Sequence, residues 1–269
     1  MTMNEIWINA LVSTVIVSVA SFAGALFLAF KIKLLQKIVF VLVSFAVGAL
    51  FGNAFFILIP ESQEMLGNSL QVGLLVVGGI VLMFIVEKLI HWQHNHNVED
   101  IKHEAPLGYI SLFTDGLHNF IDGILIASSW MVSPEIGLAT TLAVIAHEIP
   151  QEISDFGILI HAGFSRKKAL FFNFLAACTA IAGAIGTLWL DALFTNISAY
   201  VLPLAAGGFV YLAGSDLIPE LHRERSVRKN TMQLMVMLIG LALMLYIGQN
   251  HEHHHEYHHE HTEECNHDH

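Results

Sequence analysis

The sequence predicts an all-α, polytopic membrane protein with eight transmembrane helices. Of its 269 residues, 55% are hydrophobic and only 13% are charged, which is about half the charged fraction of a typical soluble domain. The apolar residues fall in runs of about 20, the length that an α-helix needs to cross about 30 Å of hydrocarbon. We expect helices because a segment within lipid must satisfy its own backbone hydrogen bonds.

The predicted spans are joined by short connections, apart from one polar loop and one polar tail. The spans cover about 6–30, 38–59, 70–90, 107–131, 137–161, 168–190, 198–219 and 231–249. The first is long enough to cross the bilayer and has no basic segment before it, so we expect no cleaved signal peptide. The loop 91–106 and the tail 251–269 are polar and rich in His, and we expect both to be flexible.

The positions of the basic residues predict the topology. All 12 Lys and Arg residues lie in the connections between spans one and two, three and four, five and six, and seven and eight. Eight spans place these four connections on one side of the membrane, and that side is cytoplasmic by the positive-inside rule. Both termini, including the tail, are then outside. Because the chain has no large extramembrane domain, we expect a prokaryotic cytoplasmic membrane.

Spans two and seven share a short pattern. Gly48 precedes Leu-Ile-Pro60-Glu by the same spacing at which Gly207 precedes Leu-Ile-Pro219-Glu. The charge rule gives these segments opposite orientations, which is typical of the inverted repeats of transporters. Chance similarity between two Gly-rich apolar helices is the alternative.

Polar residues form a stripe along span four. Asp115, His118, Asn119 and Asp122 follow one another at i, i+3, i+4 and i+7, so they share one face of a helix. A carboxylate near the bilayer centre costs about 2.5–3.5 kcal/mol by insertion scales. Such residues usually face a cavity, a partner or an ion.

Span five carries a second polar stripe. His147 and Gln151 share one face, and Glu148 and Glu152 share another. Imidazole nitrogens and carboxylate oxygens together suit Zn²⁺ and tolerate Fe²⁺, Mn²⁺, Co²⁺ or Cd²⁺. Interhelical hydrogen bonding is the alternative for an isolated polar residue. Polar residues in two neighbouring spans favour an ion pathway, with the metal as cargo and no catalytic cofactor.

These residues resemble the paired signatures of the ZIP family of divalent metal (zinc/iron) transporters. The resemblance rests on His-Asn-Phe-Ile-Asp-Gly at 118–123 and His-Glu-Ile-Pro-Gln-Glu at 147–152. It implies zinc uptake toward the cytoplasm, with the metal held by residues of spans four and five: His118, Asn119, Asp122, His147, Glu148 and Gln151. It also implies a homodimer in which a bundle of spans one, four, five and six moves, elevator-like, against a scaffold bundle of two, three, seven and eight.

The chain departs from the family pattern at two places. Gln151 stands where the larger eukaryotic branch has a second His, and span six has no acid before Asp191. We therefore expect one principal ion rather than a binuclear centre, with Glu152 as a further candidate ligand.

Other polar residues have weaker claims to the pathway. Asp115 and Asp155 could line it or serve helix packing, and Asn53 and Asp216 could gate it or form interhelical hydrogen bonds. Histidines of the loop and tail are accessory metal-capture candidates, because His-rich tracts bind zinc without folding. They are His91, His94, His96, His103, His251, His253, His254, His255, His258, His259 and His261.

Two other functions fit parts of the pattern. An intramembrane metalloprotease would use the H-E-x-x-H motif, but position 151 is Gln. A membrane metal sensor or storage protein would explain the His tracts but not two polar stripes in the bilayer. We therefore predict a transporter that is not an enzyme, with a divalent metal and the lipid bilayer as its partners and no role for nucleic acid.

Overall fold

A computed structural model describes the chain over residues 1–28, 32–96, 105–191, 193 and 196–264. Within these ranges, the side chains of 24–38, 89–107 and 251–264 are not described. All regular structure in the described part is helical, so the predicted all-α class is confirmed. The candidate capture histidines of the loop and tail, from His91 to His103 and from His251 to His261, lie outside the described side chains.

Eleven α-helices are present in the described residues. They are α1 Met3–Leu28, α2 Ile32–Asn53, α3 Ile59–Leu66, α4 Ser69–His96, α5 Ala105–Val132, α6 Pro134–His161, α7 Arg166–Ala177, α8 Thr179–Asp191, α9 Ile197–Leu212, α10 Ile218–Leu221 and α11 Val227–Glu264. A π-helical turn at Ala54–Leu58 joins α2 to α3, and a second at Ala213–Leu217 joins α9 to α10.

Six helical segments are long and apolar enough to cross a membrane. They are Met3–Ala23, Val39–Leu66, Ser69–Lys88, Arg166–Asp191, Ile197–Leu221 and Val227–Asn250. The two remaining long helices, α5 and α6, have 28 residues each, which is about 42 Å at 1.5 Å per residue. Both helices are therefore long enough to cross a membrane. They are less apolar than the other six segments because they carry the polar stripes. The chain is therefore a polytopic membrane protein.

The two π turns have the same cause. Each begins six residues before a proline, Pro60 or Pro219, and proline has no N–H to give to the preceding turn. The residue before each proline instead donates to the carbonyl five residues back, from Ile59 to Ala54 and from Ile218 to Ala213. Such π turns are frequent at functional sites.

Span six was predicted as one helix over 168–190, but it is divided at Cys178 into α7 and α8. The Thr179 hydroxyl donates to the carbonyl of Ala176, 2.7 Å away, and is 2.5 Å from the carbonyl of Gly116 on α5. A threonine hydroxyl that bonds to the preceding turn bends a helix. The contact with α5 fixes the bend at this position.

The tail also differs from expectation. We predicted a flexible segment from residue 251, whereas the backbone of α11 continues as a helix to Glu264. Adding residues to an existing helix avoids the unfavourable nucleation step. Alternating Glu and His residues, without Pro or Gly, do not stop such an extension.

Closely packed glycines join three pairs of helices. A methyl group on Gly207 of α9 would clash with the Val76 carbonyl of α4, and one on Gly48 of α2 would clash with the Met237 carbonyl of α11. Gly123 of α5 has the same relation to Ala180 of α8. Small residues allow helix backbones to approach closely in membranes.

The predicted repeat extends into this packing. Gly48 and Gly207 each lie 12 residues before their proline and each contacts the backbone of a neighbouring helix. Gly79 of α4 and Gly240 of α11 each lie three residues after the contacted carbonyl and in turn approach the first helix. Span two (α2) therefore packs against span eight (α11) in the same manner as span seven (α9) packs against span three (α4).

The Gly207 contact gives a stability prediction. We expect Gly207→Ala to lower stability by about 1–3 kcal/mol, because the added methyl overpacks the α4–α9 contact. The melting temperature in detergent should fall, as should the yield of monodisperse protein. Gly73→Ala is the matched control, since no atom lies near its added methyl. Equal melting temperatures for both variants would contradict this account of the packing.

Candidate metal centre

A one-residue turn brings the two polar stripes together. α5 ends at Val132 and α6 begins at Pro134, with Ser133 between them as the N-cap. The Ser133 hydroxyl accepts a hydrogen bond from the Ile136 N–H at 3.2 Å, and a proline is favoured at the first helical position. His118 lies 15 residues before Ser133 and His147 lies 14 after it. An antiparallel helix pair therefore places the two imidazoles at the same level.

Four side chains converge between α5 and α6. His118 and Asp122 come from α5, and His147 and Glu148 from α6; one ligand atom of each lies within 4.8 Å of all the others. The two Nε2 atoms are 3.4 Å apart. Asp122 Oδ2 lies 3.6 Å from the first imidazole and 3.2 Å from the second. Glu148 Oε1 lies 3.5 Å and 3.7 Å from them.

These distances match the dimensions of a tetrahedral zinc site. Four ligand atoms at zinc bond lengths of about 2.0–2.1 Å lie about 3.3–3.4 Å from one another. The five measured separations run from 3.2 to 3.7 Å. The group can therefore surround one ion with little movement of its side chains.

His147 is held in the orientation that a ligand needs. Its Nδ1 lies 3.0 Å from the Ala143 carbonyl oxygen, which can only accept, so we assign the hydrogen to Nδ1. Nε2 is then the nitrogen available to a metal, and it lies 3.2 Å from Asp122 Oδ2 and 3.4 Å from His118 Nε2. A hydrogen bond from the second ring nitrogen is the usual way in which proteins orient metal-binding His. The edge of the ring packs near Phe209 of α9.

The group is almost sealed from solvent, and one member opens onto a cavity. His118 is 12% exposed, whereas Asp122, His147 and Glu148 are 3% or less. Neither oxygen of Glu148 has a hydrogen-bond donor among the described residues. Buried carboxylates require a compensating partner, and a divalent cation would supply one.

The cavity has a volume of about 510 Å³ and lies between α5 and α6 on one side and α2, α4, α9 and the second π turn on the other. From His118 it passes Gln151 and Ser154 and reaches Glu220 and Arg223. An open route therefore leads from the group to the end of the molecule that carries the basic connection after α10.

The remaining candidate residues of the two stripes face elsewhere. The Asn119 amide donates to Asp115 Oδ1 at 2.9 Å. Asp155 Oδ1 accepts from the Ser111 hydroxyl at 3.1 Å. Glu152 is buried without lining the cavity, whereas Gln151 does line it. The sequence predicted one face of α6 with His147 and Gln151 and another with Glu148 and Glu152. The structure brings His147 from the first face and Glu148 from the second into the four-residue group.

The two candidate gate residues lie on opposite sides of the group. Asn53 donates to the Thr140 hydroxyl at 3.1 Å, and Ser129 is 2.9 Å from the same hydroxyl, so α2 is tied to the start of α6. Asp216 lies in the second π turn, accepts from Ser215 at 2.6 Å and lines the cavity.

Two polar contacts were not predicted from the sequence. Asn173 of α7 is buried and donates to the Glu152 carbonyl at 3.0 Å. Tyr211 of α9 donates to Glu87 of α4 at the cavity wall. A single Asn in an apolar span was the available signal for the first, since such residues usually bond to another helix. The second requires knowing that α4 neighbours α9.

The fold and the group define a class: a polytopic helical membrane protein with a mixed nitrogen and oxygen site suited to a divalent transition metal. Comparison with known proteins narrows this class. The family model described as "ZIP Zinc transporter" matches residues 4–106 and 91–248. The chain belongs to the ZIP zinc transporter family, which confirms the resemblance noted from residues 118–123 and 147–152. Because this is a family of transporters, the prediction that the chain is not an enzyme is also confirmed.

Several curated relatives carry the same family name. Zinc transporter ZIP13 of Pongo abelii is 33% identical over 76% of this chain and 65% of its own length. Zinc transporter zipt-7.2 of Caenorhabditis elegans is 30% identical over 90% and 66%, and Zinc transporter SLC39A7 of Pongo abelii is 29% identical over 90% and 71%. The chain thus spans about two thirds of their length. These relatives are eukaryotic, so they give no support to the expected prokaryotic membrane.

The geometry predicts zinc-dependent stabilisation. A ligand that binds only the folded state at 100 times its dissociation constant stabilises by about 2.7 kcal/mol, so zinc should raise the melting temperature of the purified protein. We expect His147→Ala to remove most of this rise, because it deletes a ligand, while His161→Ala, at the exposed end of α6, retains it. An unchanged rise in His147→Ala would show that zinc acts elsewhere, for example at the His-rich tail.

Proposed function

We propose that this protein carries a divalent transition metal, zinc first, across a lipid bilayer by alternating access. The observation that supports this most directly is the convergence of His118, Asp122, His147 and Glu148 on one point between two membrane-length helices. Ionisable residues within a membrane are costly and mark ion pathways. The three relatives named above are each called a zinc transporter, which agrees with zinc as the cargo.

We assign zinc because two imidazoles and two carboxylates form a set of ligands that is intermediate between hard and soft, and zinc is an ion of the same intermediate kind. Nitrogen and oxygen ligands in a tetrahedral arrangement are typical of zinc. Oxygen-preferring Mg²⁺ and Ca²⁺ would be disfavoured by the two imidazoles. Fe²⁺, Mn²⁺, Co²⁺ and Cd²⁺ remain possible cargoes of the same site. Gln151 lines the cavity one turn after His147, and we assign to its amide the next contact of the departing ion.

We further propose that α5 and α6 complete a set of eight spans, with uptake directed toward the cytoplasm. The cavity from His118 reaches Arg223, in a connection that the positive-inside rule places in the cytoplasm. On the opposite side of the group, the Asn53–Thr140 contact closes α2 against α6. The conformation is then one that is open inward and closed outward, with the termini outside.

Helix packing supports two bundles. α5 packs with α6 and α8, and α1 packs with α6, whereas α2 packs most extensively with α11 and α4 with α9; α2 also contacts α6 across the two groups. The cavity lies between these groups, and all four members of the metal group belong to the first. We propose that the first bundle carries the ion past the second, as the family resemblance implies for an elevator. The homodimer that the resemblance also implies stays a prediction.

A flux measurement tests the proposal. We expect zinc to enter proteoliposomes containing the wild-type protein faster than protein-free liposomes, as reported by a fluorescent indicator inside. His147→Ala and Asp122→Asn should each lower the rate at least tenfold, because each removes a ligand, a loss that corresponds to about 1.4 kcal/mol or more. A competition series with Fe²⁺, Mn²⁺, Co²⁺ and Cd²⁺ then ranks the ions.

Matched controls are His161→Ala and Glu64→Gln, which change an exposed histidine and an exposed carboxylate and should transport at the wild-type rate. Zinc binding by the wild type without any flux would favour the sensor or storage alternative. Undiminished flux in both ligand variants would refute the proposed site.

The cavity gives a second functional prediction. Ser154 is exposed and lines the cavity, whereas Ser129 is buried on the far side of the group. In a background carrying Cys178→Ala and Cys265→Ser, we expect Ser154→Cys to react with a charged thiol reagent applied from the cytoplasmic side. Ser129→Cys should react far more slowly from that side. The reverse order would contradict the proposed inward opening.

A further inference from the structure

A second polar cluster lies on the faces of α5 and α6 that turn toward α7. It consists of Asp115 and Asn119 of α5, Glu152 of α6 and Asn173 of α7. Each of the four is no more than 1% exposed. None of them lines the cavity that begins at His118, so this cluster is separate from the route that we assign to the cargo.

Contacts among the four residues hold the cluster together. Asn119 donates to Asp115 at 2.9 Å, and Asn173 donates to the backbone carbonyl of Glu152 at 3.0 Å. Glu152 lies close enough to the Asn119 amide to interact with it electrostatically. Both amide NH₂ groups thus have acceptors within the cluster.

Five buried oxygens of the cluster have no hydrogen-bond donor among the described residues. They are Asp115 Oδ2, Asn119 Oδ1, Glu152 Oε1, Glu152 Oε2 and Asn173 Oδ1. While the two carboxyl groups are ionised, all five atoms are acceptors and cannot satisfy one another. Buried polar atoms in proteins nearly always have a partner, and this partner must be positive or a donor of hydrogen.

The helices α5 and α6, which supply three of the four residues, offer no basic side chain as a partner for these oxygens. From residue 105 to 161, through the whole of α5 and α6, the sequence has no Lys or Arg. The basic residues of α7 are Arg166, Lys167 and Lys168, at the opposite end from its buried Asn173, and Lys168 interacts with Tyr109, 3.2 Å away. His118 and His147 face the first group. Leaving two carboxylates buried without a countercharge would cost several kcal/mol each.

We propose that Asp115, Asn119, Glu152 and Asn173 form a second, oxygen-only site that holds a resident hard divalent cation. Carboxylate and amide oxygens without imidazole or thiolate are the ligands of Mn²⁺, Mg²⁺ and Ca²⁺ rather than of zinc. Asp115 precedes His118, and Glu152 follows Glu148, by three and four residues. The site is therefore about one helical turn, 5–6 Å along the axis, from the first group.

The bound cation acts as a tie between helices and not as cargo. It joins α5, α6 and α7 inside one bundle, and the cavity does not reach it. Asp155, which is only partly buried and bonds to Ser111, follows Glu152 by three residues toward the exposed end of α6. The positive charge of the bound cation also offsets the carboxylates next to the first group, so that zinc is not held too tightly for release.

Electron paramagnetic resonance of Mn²⁺ tests the site in the purified full-length protein. Mn²⁺ bound to oxygen alone lacks the ¹⁴N hyperfine coupling that imidazole ligands produce, so His-rich segments and the first group are distinguished from the second site. We expect the wild type to bind an oxygen-only Mn²⁺ that Glu152→Gln and Asp115→Asn each lose, a reduction of one ion per protein. Exposed Glu64→Gln should retain it.

Zinc-dependent stabilisation serves as the separate readout of the first group and should persist in Glu152→Gln, which keeps all four of its ligands. An oxygen-only signal that survives in both site variants would assign the ion to surface carboxylates and overturn the proposal. A second result would also overturn the proposal. In it, the wild type binds no oxygen-only Mn²⁺ and shows the infrared band of a protonated carboxylic acid, and Glu152→Gln removes that band. In that case protons, and not a metal, satisfy the cluster.

Discussion

Burial of acidic and imidazole side chains within a hydrophobic layer is the constraint on which this molecule depends. α5 and α6 carry too many polar groups to face lipid on every side, and they are enclosed by α1, α2, α7, α8 and α9. Enclosure alone does not satisfy all of these groups, because both oxygens of Glu148 lack a hydrogen-bond donor among the described residues. In the proposed function, convergence around a cation does so, and it turns an energetic cost of several kcal/mol into a binding site.

The enclosing helices are arranged around glycine contacts and two π turns. Three helix pairs approach so closely that a methyl group would clash with a backbone carbonyl, which makes each pair a stiff unit. The π turns before Pro60 and Pro219 lie at equivalent positions of the two repeats, yet only the second lines the cavity. Equivalent elements thus occupy different environments, as expected when one conformation is open on one side only.

Much of this architecture could be predicted from the sequence, because helix periodicity and hydrophobic length are local properties. The stripe of His118 and Asp122 and the positions of most spans belong to this category. Contacts that depend on which helices are neighbours could not be predicted from the sequence. The bond from Asn173 of α7 to the Glu152 carbonyl of α6 is an example. The division of span six was missed for the same reason, since Thr179 takes its second partner from α5.

The origin of the four ligands matters for how an ion could leave. All of them project from α5 and α6, which are joined through Ser133, and the opposite wall of the cavity offers Glu87 and Asp216. A movement between the two groups of helices would therefore leave the coordination intact until the site meets that wall. A site shared between both groups would instead have to break at every cycle. Ligands confined to one helix pair are for this reason compatible with an ion that travels with its binding site.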